Sequence, residues 1–187
     1  GAWACMGAGT QSDALKIAGQ DAENTYQYVE TYNGSSWTSK TATNNDHSQG
    51  TVGGGGAVNS CIVILGANAN SEVYNSSGSG SWTTKATDTR RDEMMGGHSG
   101  GGGEALAIAG VDQPGDGSIL STVRKYTLSG DAWSNGTAIP TATKAGGAFG
   151  QTDATDVVAF TGETAASGDS SVGTTIEFNN GAWQTGN

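Results

Sequence analysis

Four tryptophans recur along the chain, Trp37, Trp82, Trp133 and Trp183, at spacings of 45, 51 and 50 residues. They constrain the fold because the text around each one recurs with it. A few residues upstream stands an aromatic: Tyr32, Tyr74, Tyr126 and Phe178. Further upstream an apolar run closes on glycine, over 14–19, 61–66, 105–110 and 157–162. Self-similarity at this period marks an array of small β-units, stacked or circular, in which each unit buries its apolar face against the next.

Each unit divides into four short segments. In the third, Met94 to Gly101 is glycine-rich and Glu104 to Gly110 is apolar. Ser121 to Leu128 alternates Val123, Lys125 and Leu128 with polar neighbours, and Ala132-Trp133 opens a last strand after Ser129-Gly130-Asp131. The first and fourth units carry Asn33-Gly34 and Asn180-Gly181 at that turn, a tight-hairpin signal because both residue types tolerate positive φ. No segment sustains a helical period, and glycine occurs 32 times. The sequence therefore predicts an all-β fold, each unit a four-stranded antiparallel sheet, in one domain spanning 1–187. The units run approximately over 1–40, 41–85, 86–136 and 137–187. The glycine runs 53–56 and 100–103 suit the first strand of their units, where neighbouring sheets converge. All four tryptophans are expected to be buried between sheets.

The glycine closing the second strand, the aromatic in the third and the tryptophan in the fourth resemble kelch and galactose-oxidase-like β-propeller repeats. The likeness covers essentially the whole chain. It departs from the kelch pattern where the double glycine is reduced to Ala18-Gly19 and Leu65-Gly66. A basic residue also recurs near the first strand: His47, Arg91 and Lys144 follow a tryptophan by 10, 9 and 11 residues. The wording of the units is similar to repeats in phage structural proteins and bacterial surface proteins. The resemblance implies a β-propeller-like array of four blades. Four blades either close alone, the outcome preferred here, or belong to a larger ring completed by other sequence or another chain.

Composition limits function more than it names it. The formal charge is −10, from 18 acidic and 8 basic residues, so nucleic acid and anionic membranes are repelled on average. The longest apolar run, Cys61 to Leu65, is too short to span a bilayer. The chain opens on Gly1 without Met and without a signal peptide, which suggests a processed product or an excised piece. Cys5 and Cys61 occupy different positions of their units and read as two small thiols without a common role.

Motifs for chemistry are sparse. Gly97-His98-Ser99-Gly100-Gly101 fits the G-x-S-x-G nucleophile pattern, but a hydrolase needs a strand–turn–helix there and a histidine later in the chain. The other histidine, His47, lies upstream, so Ser99 reads as structural. No cofactor is expected. A loose Ca²⁺ site near Asp112 and Asp116 is a weak metal option, and the segment lacks the D-x-D-x-D-G spacing, so a solvated turn is preferred there and, equally, at Asp153 and Asp156. His47, Arg91 and Lys144 would either form a cationic rim for an acidic ligand or bond the neighbouring unit's loops, the latter preferred. The sequons at Asn33, Asn75 and Asn135 coincide with turns.

The expectation is a non-enzymatic recognition or adhesion module, extracellular or on a virion surface, with a glycan or protein on a cell surface as partner. Its contact residues would lie in the connections 20–28, 111–120 and 163–172, with Asp21, Asn24, Asp112, Asp116, Ser167 and Asp169 as candidates, because these segments vary in length between units. The alternative is a purely structural subunit of a fibre or virion, paired with neighbouring subunits through blade edges.

Overall fold

The structure is a computed structural model of the chain. It describes residues 4–21, 23–53, 62–64, 66, 68–89, 91–98, 103–113, 115–150, 156–160, 162–164 and 170–186. Among these residues there are strands and turns and no helix.

Each repeat folds into one antiparallel sheet whose four strands lie side by side in chain order. The first holds β1 (Met6–Gly9), β2 (Ala14–Gln20), β3 (Thr25–Tyr32) and β4 (Trp37–Lys40). The second holds β5 (Thr51–Gly53), β6 (Ile62–Ile64), β7 (Ser71–Asn75) and β8 (Ser81–Lys85). A two-residue strand, β9 (Arg91–Asp92), leads to β10 (Met95–His98), β11 (Glu104–Ile108), β12 (Val111–Asp112), β13 (Val123–Thr127) and β14 (Ala132–Asn135). Of these, β10, β11, β13 and β14 form the third sheet, while β12 pairs with β9. The fourth holds β15 (Gly147–Gly150), β16 (Val157–Phe160), β17 (Thr175–Asn179) and β18 (Ala182–Thr185).

The tryptophans open the fourth strands of the first sheet and fall second in those of the others. Each stands directly opposite the third-strand aromatic: Tyr32↔Trp37, Tyr74↔Trp82, Tyr126↔Trp133 and Phe178↔Trp183. The ring centroids are 5.2, 4.9, 5.4 and 5.0 Å apart, within the range where tilted aromatic pairs attract. This cross-strand pair sets the register of each outer hairpin, since a slip by one residue would turn one ring to the opposite face.

Three apolar clusters fill the three junctions between successive sheets. Leu15, Ile17 and Val29 of the first sheet pack with Val52, Tyr74 and Trp82 of the second. Val73 of the second meets Ala105, Ala107, Tyr126 and Trp133 of the third. Leu106, Ile108 and Val123 of the third meet Val157, Ala159, Phe178 and Trp183 of the fourth. Strand alternation explains this: in β11, Ala105 and Ala107 face back while Leu106 and Ile108 face forward, and Ala105 through Ile108 are all buried. Each sheet thus has a rear face carrying its aromatic pair, and the first three have a forward face of aliphatic residues.

The indole N–H groups tie these junctions together. Trp82 Nε1 donates to the Thr41 carbonyl (3.1 Å), Trp133 Nε1 to that of Ala86 (3.1 Å) and Trp183 Nε1 to that of Thr137 (2.8 Å). Each acceptor lies just past the last strand of the preceding sheet, four residues after the preceding tryptophan. Trp82 is 8% exposed and Trp133 and Trp183 are half-buried, but Trp37 is 51% exposed. The expected burial of all four tryptophans therefore fails at Trp37, because among the described residues no sheet covers the rear of the first.

The glycine that closes each second strand has a tertiary cause. Gly19, Gly66 and Gly110 donate their N–H groups to carbonyls of His47, Arg91 and Thr143, on the segments leading into the next sheet. On the other side, a Cβ on Gly66 would lie 2.3 Å from the Ser48 carbonyl and one on Gly110 2.7 Å from that of Asp92. Both also have positive φ, near 95°. A glycine is thus sandwiched between its own lead-in segment and the next one. Those segments share a left-handed residue two places before the first strand: Ala4, Gln49, Glu93 and Ala145. Of the glycine runs, Gly53 is in β5 and Gly103 precedes β11, while 54–56 and 100–102 lie outside the described residues.

Candidate functional site

The second and third strands of the four sheets are joined by segments 21–24, 65–70, 109–122 and 161–174. The first is shorter than expected, because Thr25 to Tyr28 belong to β3. Asp21 organises this turn. Its carboxylate accepts hydrogen bonds from the N–H groups of Glu23 (2.9 Å) and Asn24 (2.8 Å) and from the Tyr26 hydroxyl. The Tyr26 bond first, and the two backbone bonds after it, hold the Asp21 carboxyl below its ordinary pKa, while the same contact raises that of Tyr26.

The third sheet's connection is braced at both ends. Leu120 N–H donates to the Gly110 carbonyl (2.8 Å), and Asp112 N–H to that of Ser118 (3.0 Å). Asp112 stands opposite Arg91 where β12 meets β9. Asp116 accepts from Ser118 N–H at 2.9 Å, and its contacts with Ser118 keep its pKa low. In the fourth sheet Val172 N–H donates to the Gly162 carbonyl (2.8 Å) and Thr164 N–H to that of Ser170 (3.2 Å). Ser167 and Asp169 lie outside the described residues. Asp21 and Asn24, Asp112 and Asp116 thus occupy corresponding connections of different sheets, and each pair is engaged with its own turn. Among the described residues no three His, Cys, Asp or Glu side chains gather as metal ligands would.

The three basic residues sit in the lead-in segments rather than in the first strands. Arg91 is 7% exposed, and its Nη1 donates to the Thr122 carbonyl (3.1 Å); burial first of all lowers its pKa. Lys144 Nζ pairs with Glu93 (2.8 Å) and Glu163 (3.6 Å), and the Glu93 hydrogen bond raises its pKa. His47 is fully buried, its Nε2 3.7 Å from the equally buried Glu72 carboxylate. The three head groups are turned into the junctions between sheets, where they meet carbonyls and carboxylates of the protein itself.

Ser99 and Cys61 lie outside the described residues. Gly97 and His98, just before Ser99, pair with Leu106 and Ala105 in the β10–β11 hairpin.

One site escaped the sequence reading. Cys5, Met6 and Gly7 of the first sheet, Gly50, Thr51 and Val52 of the second, Met94 beside the third, and Gly146, Gly147 and Ala148 of the fourth line a common cavity of about 330 Å³. The first strands of the first, second and fourth sheets border it, and the exposed Cys5 lies at its wall. The recurring left-handed residue before each first strand is the feature that marks these strands. That is a property of φ, and four different residue types carry it without a shared sequence sign.

These features define an all-β protein of four consecutive antiparallel sheets packed face to face. No protein-family model matches the chain, and no curated protein matches it. Solved structures do: 151 chains match, among them the structure of YjhT, with a TM-score of 0.75 at 12% identity. The match covers 98% of this chain and 65% of that one. At that identity the likeness concerns the fold alone.

Proposed function

We propose that the four sheets are blades of a kelch-like propeller array, and that the chain is a non-enzymatic recognition module, extracellular or on a virion surface. The observation that carries this reading is the contrast between constant sheets and unequal connections. Every sheet keeps its four strands and its aromatic pair. The connections between second and third strands grow from 21–24 in the first sheet to 109–122 and 161–174 in the third and fourth. Variable loops on a fixed frame suit recognition of a glycan or a protein surface. The charge of −10 disfavours nucleic acid as the partner.

The test is a glycan array probed with the labelled chain, followed by a variant whose 113–118 segment is replaced by a short Gly-Ser bridge. Specific binding that this variant loses while keeping its far-ultraviolet spectrum is the expected result. Stoichiometric fluorophosphonate labelling at Ser99, absent from Ser99→Ala, would overturn the non-enzymatic reading. A structural subunit is the second reading. It is favoured by one observation, the large aromatics left exposed on the outward faces of the first and fourth sheets.

A further inference from the structure

Each junction between sheets is built from the same parts. The residue just past a fourth strand gives its carbonyl to the next tryptophan and also reaches the turn before that tryptophan. Thr41 N–H donates to the Ser79 carbonyl (3.1 Å), Ala86 N–H to Asp131 Oδ1 (2.8 Å) and Thr137 Oγ1 to the Gly181 carbonyl (3.0 Å). A few residues on, the connection meets the third-strand residue two places before the aromatic. Asn44 N–H and Asn45 Nδ2 donate to Glu72; Asp88 accepts from Arg124; Ile139 shares an apolar cluster with Ile176.

The rear of the first sheet has the receiving half of such a junction, and none of the described residues is seated in it. Tyr28, Glu30 and Tyr32 alternate onto the face that carries Trp37, opposite Val29, which packs forward. Tyr28 is 68% and Trp37 51% exposed. Among the described residues the Trp37 indole N–H has no carbonyl acceptor of the kind its three counterparts have. The turn before it is closed by its own bonds, Asn33 N–H to the Ser36 carbonyl and Ser35 and Ser36 N–H to Asn33 Oδ1. Glu30, which corresponds to Glu72 and Arg124, pairs with Lys16 of its own sheet at 2.9 Å.

The fourth sheet has the giving half. Phe149 and Phe160 lie on its forward face, 53% and 37% exposed, their rings 5.8 Å apart. Phe149, Val158 and Glu177 border an open cavity of about 310 Å³ there. Gly162 corresponds to Gly19, Gly66 and Gly110, and among the described residues its N–H has no carbonyl from a following lead-in segment. In the register of the repeat, Asn187 stands four residues after Trp183, where Thr41, Ala86 and Thr137 stand after theirs. Ala2 stands two before Ala4, where His47, Arg91 and Thr143 stand before Gln49, Glu93 and Ala145. The backbone carbonyls that a fourth junction would use therefore both occur in this sequence.

Among the described residues the two halves share no packed junction, although the first strands of both sheets border the same cavity. Successive sheets touch closely through their first strands, β1 with β5, β5 with β10 and β10 with β15, and among the described residues no comparable approach joins the fourth sheet to the first. We infer that the two faces belong together between molecules: the forward face of the fourth sheet in one copy, centred on Phe149 and Phe160, docks on the rear face of the first sheet in a second copy, centred on Tyr28 and Trp37. The contact is head to tail and continues the array with a junction of the kind it already uses three times. Two copies that form it twice make a closed ring; copies that form it once make an open chain. The inference rests on the four sheets being one continuous array and is independent of the recognition role.

Two variants test it, each at an exposed aromatic. Trp37→Glu disables the receiving face and Phe149→Glu the giving face. Sedimentation velocity of the wild-type chain should show association growing with concentration through the micromolar range. Each variant alone should sediment as a monomer with an unchanged far-ultraviolet spectrum. An equimolar mixture should recover a dimer and nothing larger, because one intact face of each kind remains. A wild-type chain that stays monomeric would overturn the inference, with an exposed Trp37 by its fluorescence pointing to no partner and a shielded one to closure within the chain. Association unaffected by either substitution, or a mixture that stays monomeric, would overturn it too. Glycan binding measured on the monomeric variants reports on the recognition role separately.

Discussion

Trp82 and Trp37 hold the same place in their sheets and meet opposite surroundings. Trp82 is buried and donates to Thr41, whereas Trp37 packs on Tyr32 and is half exposed. Trp82→Ala should destabilise by about 3–5 kcal/mol, since it opens a cavity in the junction between the first two sheets. Trp37→Ala should cost about 1 kcal/mol or less, as surface truncations do. Urea denaturation of the two variants checks the contrast, and equal losses would mean that Trp37 is covered in solution. Asp131 makes a second residue-scale prediction. Ala86 N–H first, and the Tyr126 hydroxyl second, hold its carboxyl below the ordinary value of 3.8. A carboxyl depressed in the folded state adds stability that is present above the unfolded pKa and is lost as pH falls through the folded one. Asp131→Asn keeps an acceptor oxygen but no charge, so stability should change less between neutral pH and about pH 3 than in the wild type. Parallel acid limbs in the two proteins would rule this linkage out. Burial first, then Asp131, raises the Tyr126 pKa, so the matching loss as pH climbs past the ordinary tyrosine value of 10.0 belongs to Tyr126.

At the scale of the element, the junctions differ where the sheets do not. The same third-strand position holds a carboxylate bound by amides at Glu72, a guanidinium at Arg124 and an aliphatic chain at Ile176. Such differences favour each connection on its own sheet over its neighbour's, which matters in a chain built of near-repeats. Arg124 grips Asp88 with two nitrogens, at 2.6 and 3.0 Å, and both side chains are mostly buried. A double-mutant cycle of Asp88→Ala and Arg124→Ala should return a coupling of about 1–3 kcal/mol, because either single change strands a charge. Additive losses would place the stabilisation elsewhere. The strands themselves were legible from residue types, as the third sheet shows: its apolar and alternating segments fall on β11 and β13 nearly to the residue. The β9–β12 pair was not legible, because Arg91-Asp92 and Val111-Asp112 are too short for a period and are brought together only by the approach of two segments 20 residues apart.

At the scale of the whole molecule, stability is unevenly spread. Ala105 to Val111 are all buried, with a sheet on each side. β4 and β18 are edge strands and largely exposed. Hydrogen exchange followed by mass spectrometry should therefore find the slowest amides in β11 and β13 and the fastest strand amides in β4 and β18. If Trp37 is covered by a second copy, β4 should gain protection as concentration rises.

The sequence by itself determined the unit: its strands, its turn residues and the aromatic pair opposite the tryptophan. Those depend on neighbours in the chain and on a period of two, which residue types record directly. It also recorded the glycine closing each second strand, though not the cause, which is a carbonyl of a lead-in segment pressed against its Cα. Asp21 was read from the sequence as a candidate contact residue in a polar connection, but that its carboxylate faces Tyr26 and its own backbone was decided by the fold. The cavity beside the first strands, the burial of His47, the turning of Arg91 and Lys144 into the junctions, and the exposure of Trp37 were decided by tertiary structure alone. Each depends on which sheet lies in front of which, and four equivalent tryptophans carry no sign of which one stands first in the row.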